Sequence, residues 1–177
     1  MTAVATALAP QVVTEKLWYA VLTRYRYEKK VTAQLEKESI PTFLPVLQQV
    51  HHWSDRQKHI QVPLFAGYTF ACLSLSPVSR LQVLRTPGVI RFVSFGAETV
   101  PVPAKQIEGL RTLLSHNIPC SLHAFLTVGQ RVRIRGGCLD GLEGILKQSD
   151  DKTLVISIEC IQRSIAFRLE GYELELV

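Results

Sequence analysis

The stretch 63–74, PLFAGYTFACLS, sets the tightest limit on what this chain can fold into. From Tyr68 its side chains divide by parity, with Tyr68, Phe70 and Cys72 on one face and Thr69, Ala71 and Leu73 on the other. Both faces are largely apolar, so the segment is expected to be a central strand, with helices over one face and other material over the second. Gly67 permits a sharp bend or a close backbone approach just before the aromatics begin.

Around this strand the chain alternates between two periods. Leu17–Thr23 (LWYAVLT) reads as a first strand, rich in aromatic and β-branched residues. A helix is expected over 25–39, stopped by Pro41, with Tyr27, Val31 and Leu35 as its buried stripe. Arg26, Lys29 and Lys30 crowd its first turns, where the helix dipole disfavours positive charge and a bound anion would offset it. The segments 42–53 and 60 onward read as a long hairpin with a polar tip. His51 and His52 point to opposite faces of it, so they do not form a metal site with His59. Ser76 as N-cap and Pro77 at the first position open a short helix, with Val78, Leu81 and Leu84 expected inward. A strand at 89–95 and a helix after Pro103, with Ile107, Leu110, Leu113 and Leu114 apolar, complete an α+β sandwich of a mixed sheet and three helices.

The pattern changes after residue 116. The stretch 117–127 reads as a linker. Beyond it, 128–134 alternates cleanly, 135–141 is a glycine-dense turn, and strands follow at 153–158 and 164–169. Short strands, glycine turns and no helix signal indicate a small β-barrel. Charge divides along the same boundary. Residues 1–126 hold 13 Lys+Arg against 7 Asp+Glu, a balance of +6, and residues 127–177 hold 7 against 8, a balance of −1. A field able to steer a polyanion therefore belongs to the front part.

Other classes are set aside on the same residues. The cysteines at 72, 120, 138 and 160 form no close pair, so neither a metal nor a disulfide framework is expected, and a reduced cytoplasmic compartment fits them. Residues 1–15 hold no Lys or Arg to make a basic n-region, and residues 1–16 read as a disordered tail rather than a signal peptide. No run nears the roughly eighteen apolar residues of a membrane span. Nucleophile-elbow, phosphate-loop and zinc-helix motifs are absent, and no carboxylate pair has recognisable spacing, so a binding protein without cofactor is expected rather than an enzyme.

Four segments in order, WYAVLTRYRYEKKV, PLFAGYTF, TPGVIRFVSFG and VGQRVRIRGGCLDGLEGIL, resemble the NusG/RfaH transcription elongation factors. The closing VISIECIQRSIAF is similar to the specialised paralogues of the UpxY type. The family usually has proline where this chain has Ala66. The resemblance implies an NGN-type domain at 17–116, a linker at 117–127 and an SH3-like KOW barrel at 128–177, in a monomeric transcription elongation and antitermination factor. It implies that Trp18, Phe65, Ala66, Tyr68, Phe70, Phe92 and Phe95 bind the clamp helices of RNA polymerase, with Phe65 and Tyr68 foremost. It implies that Arg24, Tyr25, Arg26, Lys29 and Lys30 meet the non-template DNA strand, where a tyrosine among cations can stack on a base. Ser79 and Arg80 align with a segment that touches the opposite wall of the cleft, although they differ from the His-Thr-Thr of RfaH. Ile161, Gln162 and Arg163 correspond to the barrel's surface for Rho or a ribosomal protein. Their sequence departs from the general pattern, which favours antitermination. The alternative is a KOW-type RNA-binding protein of the ribosome, which the −1 balance of the barrel disfavours.

Overall fold

The computed structural model describes residues 15–52, 57–126, 129–147 and 153–177. Most of the expected tail, the hairpin tip at 53–56 and the turn at 149–152 lie outside the described residues. The front of the chain runs β1 (Leu17–Thr23), α1 (Glu28–Lys37), β2 (Thr42–Phe43), β3 (Val46–His52), β4 (Gln57–Pro63) and β5 (Tyr68–Leu73). It continues with α2 (Pro77–Arg85), β6 (Val89–Phe92), β7 (Ser94–Phe95), β8 (Glu98–Thr99), β9 (Pro101–Val102) and α3 (Ala104–Ser115). The rest is β10 (Cys120–His123), β11 (Gln130–Arg135), β12 (Glu143–Leu146), β13 (Thr153–Ile158), β14 (Arg163–Arg168) and β15 (Glu173–Leu176).

β1 is the hub of the first sheet, pairing with β5, β6 and β9, while β2 pairs with the far edge of β5. All these pairings are antiparallel, where a mixed sheet was expected. β3 and β4 form a separate antiparallel ribbon. The parity of β5 holds: Phe70 belongs to one core cluster, with Tyr68 packed against it, while Ala71 and Leu73 belong to a second cluster with Val31 and Leu35 of α1 and Val83 of α2. Ile107, Leu110 and Leu113 of α3 cover the Phe70 face, so the sheet is sandwiched as its two apolar faces require.

Two helices depart from the expected faces. α1 begins at Glu28, and Tyr27, its N-cap residue, is 36% exposed; the buried stripe is Glu28, Val31 and Leu35. Tyr27 lies instead against Gly88, where a Cβ would come within 2.6 Å of its ring. In α2, Val78 and Leu81 are exposed, Leu84 packs partly buried against the core as expected, and Val83 is the buried residue. The cap explains the rotation. Ser76 and Ser79 bond each other's backbone N–H, and the Ser79 hydroxyl also donates to the Ser74 carbonyl. That fixes Ser79 inward, and Val83 and Thr86 follow at helical spacing on the same face.

The second unit is a six-stranded antiparallel sheet, in the order β10-β14-β13-β12-β11-β15, that makes the small barrel. β10 lies inside the stretch expected to be a linker. Past its end, the Leu126 N–H donates to the buried Ser164 hydroxyl, and the Ser157 hydroxyl donates to the Leu126 carbonyl at 2.6 Å. The barrel is docked onto α3. Gly109 faces Leu142 so closely that a Cβ there would come within 2.7 Å of the Leu142 Cδ1. Lys105 Nζ lies 4.0 Å from Glu143 Oε1. A cleft of about 410 Å³ remains between helix and barrel. One core cluster therefore runs from Phe70 through Leu110 to Leu139 and Ile165.

Candidate functional site

The rings expected to form one patch are distributed over three places. Phe65 and Phe70 are buried, meeting edge to face at 6.5 Å between centroids. Phe43 stacks on Phe70 at 6.2 Å. Trp18, Phe43, Leu47 and Tyr68 are only partly buried against this cluster, and Ala66 is exposed beside them. Phe92 belongs to the opposite face of the sheet, packed edge to face on Tyr19, because its strand sends it toward α2. Phe95 is 55% exposed on the separate β7–β8 hairpin. What the fold brings together is Phe43 on the buried Phe70, itself edge to face on Phe65, with Trp18 and Tyr68 partly buried against the same cluster, four register positions apart along the β1–β5 pair. Phe43 and Leu47 escaped the sequence reading; the pairing Phe43↔Phe70 across β2 and β5 is what brings Phe43 in.

α3 contributes Arg111 to this surface, its guanidinium 4.9 Å from the Trp18 ring centroid and 5.0 Å from that of Phe43. No spacing rule joins these three residues, since they sit on separate elements.

The basic residues do gather. Arg24, Tyr25, Arg26, Lys29 and Lys30 are all exposed, on the turn from β1 into α1 and the helix's first turn. Arg26 takes a left-handed backbone, φ 65°, a conformation uncommon outside glycine, and Tyr25 beside it is 69% exposed. The Arg26 guanidinium stacks on Tyr25 at 5.4 Å and Lys30 on Tyr27 at 5.1 Å, while Lys29 Nζ donates to the Gln61 carbonyl at 2.8 Å. No side chain caps α1, so its free N–H groups and these cations present the same sign.

A buried carboxylate ties the two surfaces together. Glu28, 3% exposed, accepts a 2.7 Å hydrogen bond from the Gly67 N–H, and the Thr23 N–H donates to the Gly67 carbonyl at 2.8 Å. Gly67 has φ 82°, which only glycine adopts at no cost, and it needs that geometry to offer both groups. The loop carrying Phe65 and Ala66 is thus pinned to the start of the basic helix.

The remaining expectations meet mixed surroundings. The Ser79 hydroxyl is engaged in the α2 cap, and Arg80, exposed, donates to Thr99 Oγ1 at 3.0 Å and lies 5.9 Å from the Phe92 ring centroid. Ile161 is buried, in a 3₁₀ turn that lies against β9, so it is not a solvent-facing surface in this arrangement. Gln162, in a left-handed conformation, and Arg163 are exposed. Burial pushes the Cys160 thiol up to about 11, which keeps it protonated and unreactive near neutrality. Among the described residues no group of His, Cys, Asp or Glu is placed to hold a metal ion, and no helix is long and apolar enough to cross a membrane.

Comparison with known proteins fits this architecture. The chain is similar to the transcription termination/antitermination protein NusG of Halalkalibacterium halodurans, at 25% identity over 92% of this chain and 99% of the relative. It is similar to the protein of the same name from Staphylococcus epidermidis, at 27% identity over 90% and 95%. Among solved structures, that of Thermotoga maritima NusG, concerned with its domain interaction, matches with a TM-score of 0.51 at 24% identity, over 92% of this chain and 98% of the other; it speaks to the fold. The family model for NusG, transcription termination factor, matches residues 16–111, more than half of the chain. With the sheet, the three helices and the small barrel in place, the chain belongs to the NusG family, whose members are transcription factors and not enzymes.

Proposed function

We propose that this protein binds RNA polymerase through the aromatic surface of Trp18, Tyr68 and Phe43 and acts there as an elongation and antitermination factor of the UpxY type. The observation that carries this reading is a set of partly buried aromatic rings, Trp18, Phe43 and Tyr68, packed against the cluster that buries Phe65 and Phe70, with Phe43 stacked on Phe70. Anchors held in place by a packed floor lose little freedom on binding, and aromatic side chains in such settings dominate interface energies. A helical hairpin, such as the clamp helices, is the shape that a shallow apolar surface accommodates. From there the basic turn at 24–30, rigidly connected through Glu28 and Gly67, reaches the exposed non-template DNA strand, with Tyr25 stacking on a base. The factor then bridges the cleft and suppresses pausing or termination, and Gln162 and Arg163 offer the barrel's contact to Rho or a ribosomal protein.

The ribosomal RNA-binding alternative is less well supported. The barrel's Arg133 and Arg135 are paired with Glu143 and Glu175 and are not free for phosphates.

Capture of core RNA polymerase by the full-length chain tests the reading. Trp18→Ala combined with Tyr68→Ala removes two anchors, each worth about 2 kcal/mol or more on truncation. Capture is expected to be lost, with the fold retained by circular dichroism. Undiminished capture by the double variant would sink the proposal.

A further inference from the structure

Arg111 lies on the flank of α3 turned away from the barrel. Gly109 and Thr112 line the cleft to the barrel and Arg111 does not. Its guanidinium lies over the rings of Trp18 and Phe43, at 4.9 and 5.0 Å from their centroids, and the residue remains exposed. Among the described residues it joins no ion pair. A cation over ring faces keeps its hydrogen-bonding capacity, and the guanidinium's N–H donors form a planar fork that matches a carboxylate. Rings on its faces also strip away part of its hydration, so an acceptor arriving at the fork is bound more strongly than at a free surface arginine.

We infer that the aromatic surface takes a helix bearing an aspartate or glutamate, whose carboxylate pairs with Arg111 while neighbouring apolar side chains cover Trp18 and Tyr68. The inference rests on the reading of this surface as the polymerase contact and names the chemistry that the contact selects. A carboxylate is favoured over a phosphate by the surroundings. The rings beside Arg111 are Trp18 and Phe43, with Leu47 and Tyr68 partly buried against the same cluster, which suits protein side chains, whereas the exposed cations that could follow a phosphodiester backbone gather at 24–30.

The test uses the full-length chain titrated against core RNA polymerase at low and moderate salt, with Arg111→Lys, Arg111→Gln and Arg111→Glu. Truncating one partner of a desolvated charge pair weakens binding by about tenfold or more, so Arg111→Gln is expected at about that level and Arg111→Glu below it. Arg111→Lys is expected to fall between wild type and Arg111→Gln, because it keeps the charge and loses the fork. The salt dependence of binding is expected to flatten in Arg111→Gln. The exposed position leaves the unfolding midpoint nearly unchanged, which separates a contact from a merely structural role. Wild-type affinity in Arg111→Glu, while the Trp18→Ala, Tyr68→Ala variant loses binding, would overturn the carboxylate and leave the surface intact. Unchanged polymerase binding by Arg111→Glu with weakened binding to a single-stranded oligonucleotide would reassign the arginine to phosphate and equally overturn it. Failure of the wild-type chain to capture polymerase would instead remove the reading on which the inference stands.

Discussion

The two units of this chain treat their cations in opposite ways. In the first, Arg26 lies over Tyr25, Lys30 over Tyr27, Arg80 over Phe92 and Arg111 over Trp18. Among the described residues no ion pair joins two members of that unit. In the barrel, Arg133 Nη2 meets Glu143 at 2.7 Å and Arg135 meets Glu175. A cation resting on an aromatic face keeps its field and its donors, whereas one paired to a carboxylate is neutralised at short range. The four cations that rest on rings thus keep their field within the +6 of residues 1–126, whereas in residues 127–177, at −1, two of the seven Lys+Arg, Arg133 and Arg135, are engaged with carboxylates.

The largest effect expected from breaking this comparison is on stability. Phe70→Ala empties the floor of the aromatic surface and is expected to cost about 3–5 kcal/mol, by chemical denaturation. If the units are separable, the barrel retains its own transition. A single joint collapse would show that the shared cluster makes them one cooperative body. Next is Glu28→Ala, which removes a carboxylate hydrogen-bonded to the Gly67 N–H in a buried setting and is expected to cost about 1.5–3 kcal/mol. That variant should also weaken polymerase capture through the loosened loop at 64–67. Undiminished stability would break the claimed link between the two surfaces.

Docking can be read through thiol chemistry. Cys138 is exposed, whereas Cys160 is buried, with its thiol raised to about 11, in the turn that faces β9. Alkylation at pH 8 is expected to modify Cys138 rapidly and Cys160 slowly. Gly109→Leu forces side-chain atoms into the space occupied by Leu142 and is expected to release the barrel and speed labelling of Cys160 several-fold, by mass spectrometry. Unchanged protection of Cys160 in a variant that has lost the Lys105–Glu143 approach would mean that the barrel alone buries it.

How much of this was legible in the sequence follows from the range of the interactions. The strand at 68–73 and its parity were readable because alternation is local, and the Ser76-Pro77 start of α2 because capping is local. The inward face of α2 was misjudged because the side chain of Ser79, not hydrophobic spacing, sets the rotation of the helix. Glu28 in the core ran against the expectation for a carboxylate; its partner is the backbone of Gly67, 39 residues away, and no periodicity signals that. The strand β10 was hidden for the same reason, since among the described residues its lateral partner is β14, more than forty residues on. At the candidate site the basic turn could be read directly, while the aromatic surface could be read in composition but not in membership. Phe92 and Phe70 look alike in sequence, and only the sheet decides that they face opposite ways.

The smallest expected effect concerns pH and distinguishes the units once more. The hydrogen bond from Arg133 holds the Glu143 carboxyl below the usual carboxylate range, with Lys105 adding a weaker attraction across the interface. A carboxyl depressed in the folded state contributes stability that is fully present above its unfolded pKa and is lost as pH falls through the folded value. The barrel's unfolding midpoint is therefore expected to decline in the acid range, and Glu143→Gln to flatten that decline slightly, because the group is exposed and screened. Added salt should shrink the difference between wild type and Glu143→Gln further. In the first unit, whose cations at Arg26, Lys30 and Arg111 rest on rings, no carboxylate pairs with them among the described residues, so removing those cations should leave the acid profile unchanged. An acid profile that shifts with Arg111→Gln as much as with Glu143→Gln would mean that the first unit also pairs its charges, and the contrast between the two units would fail.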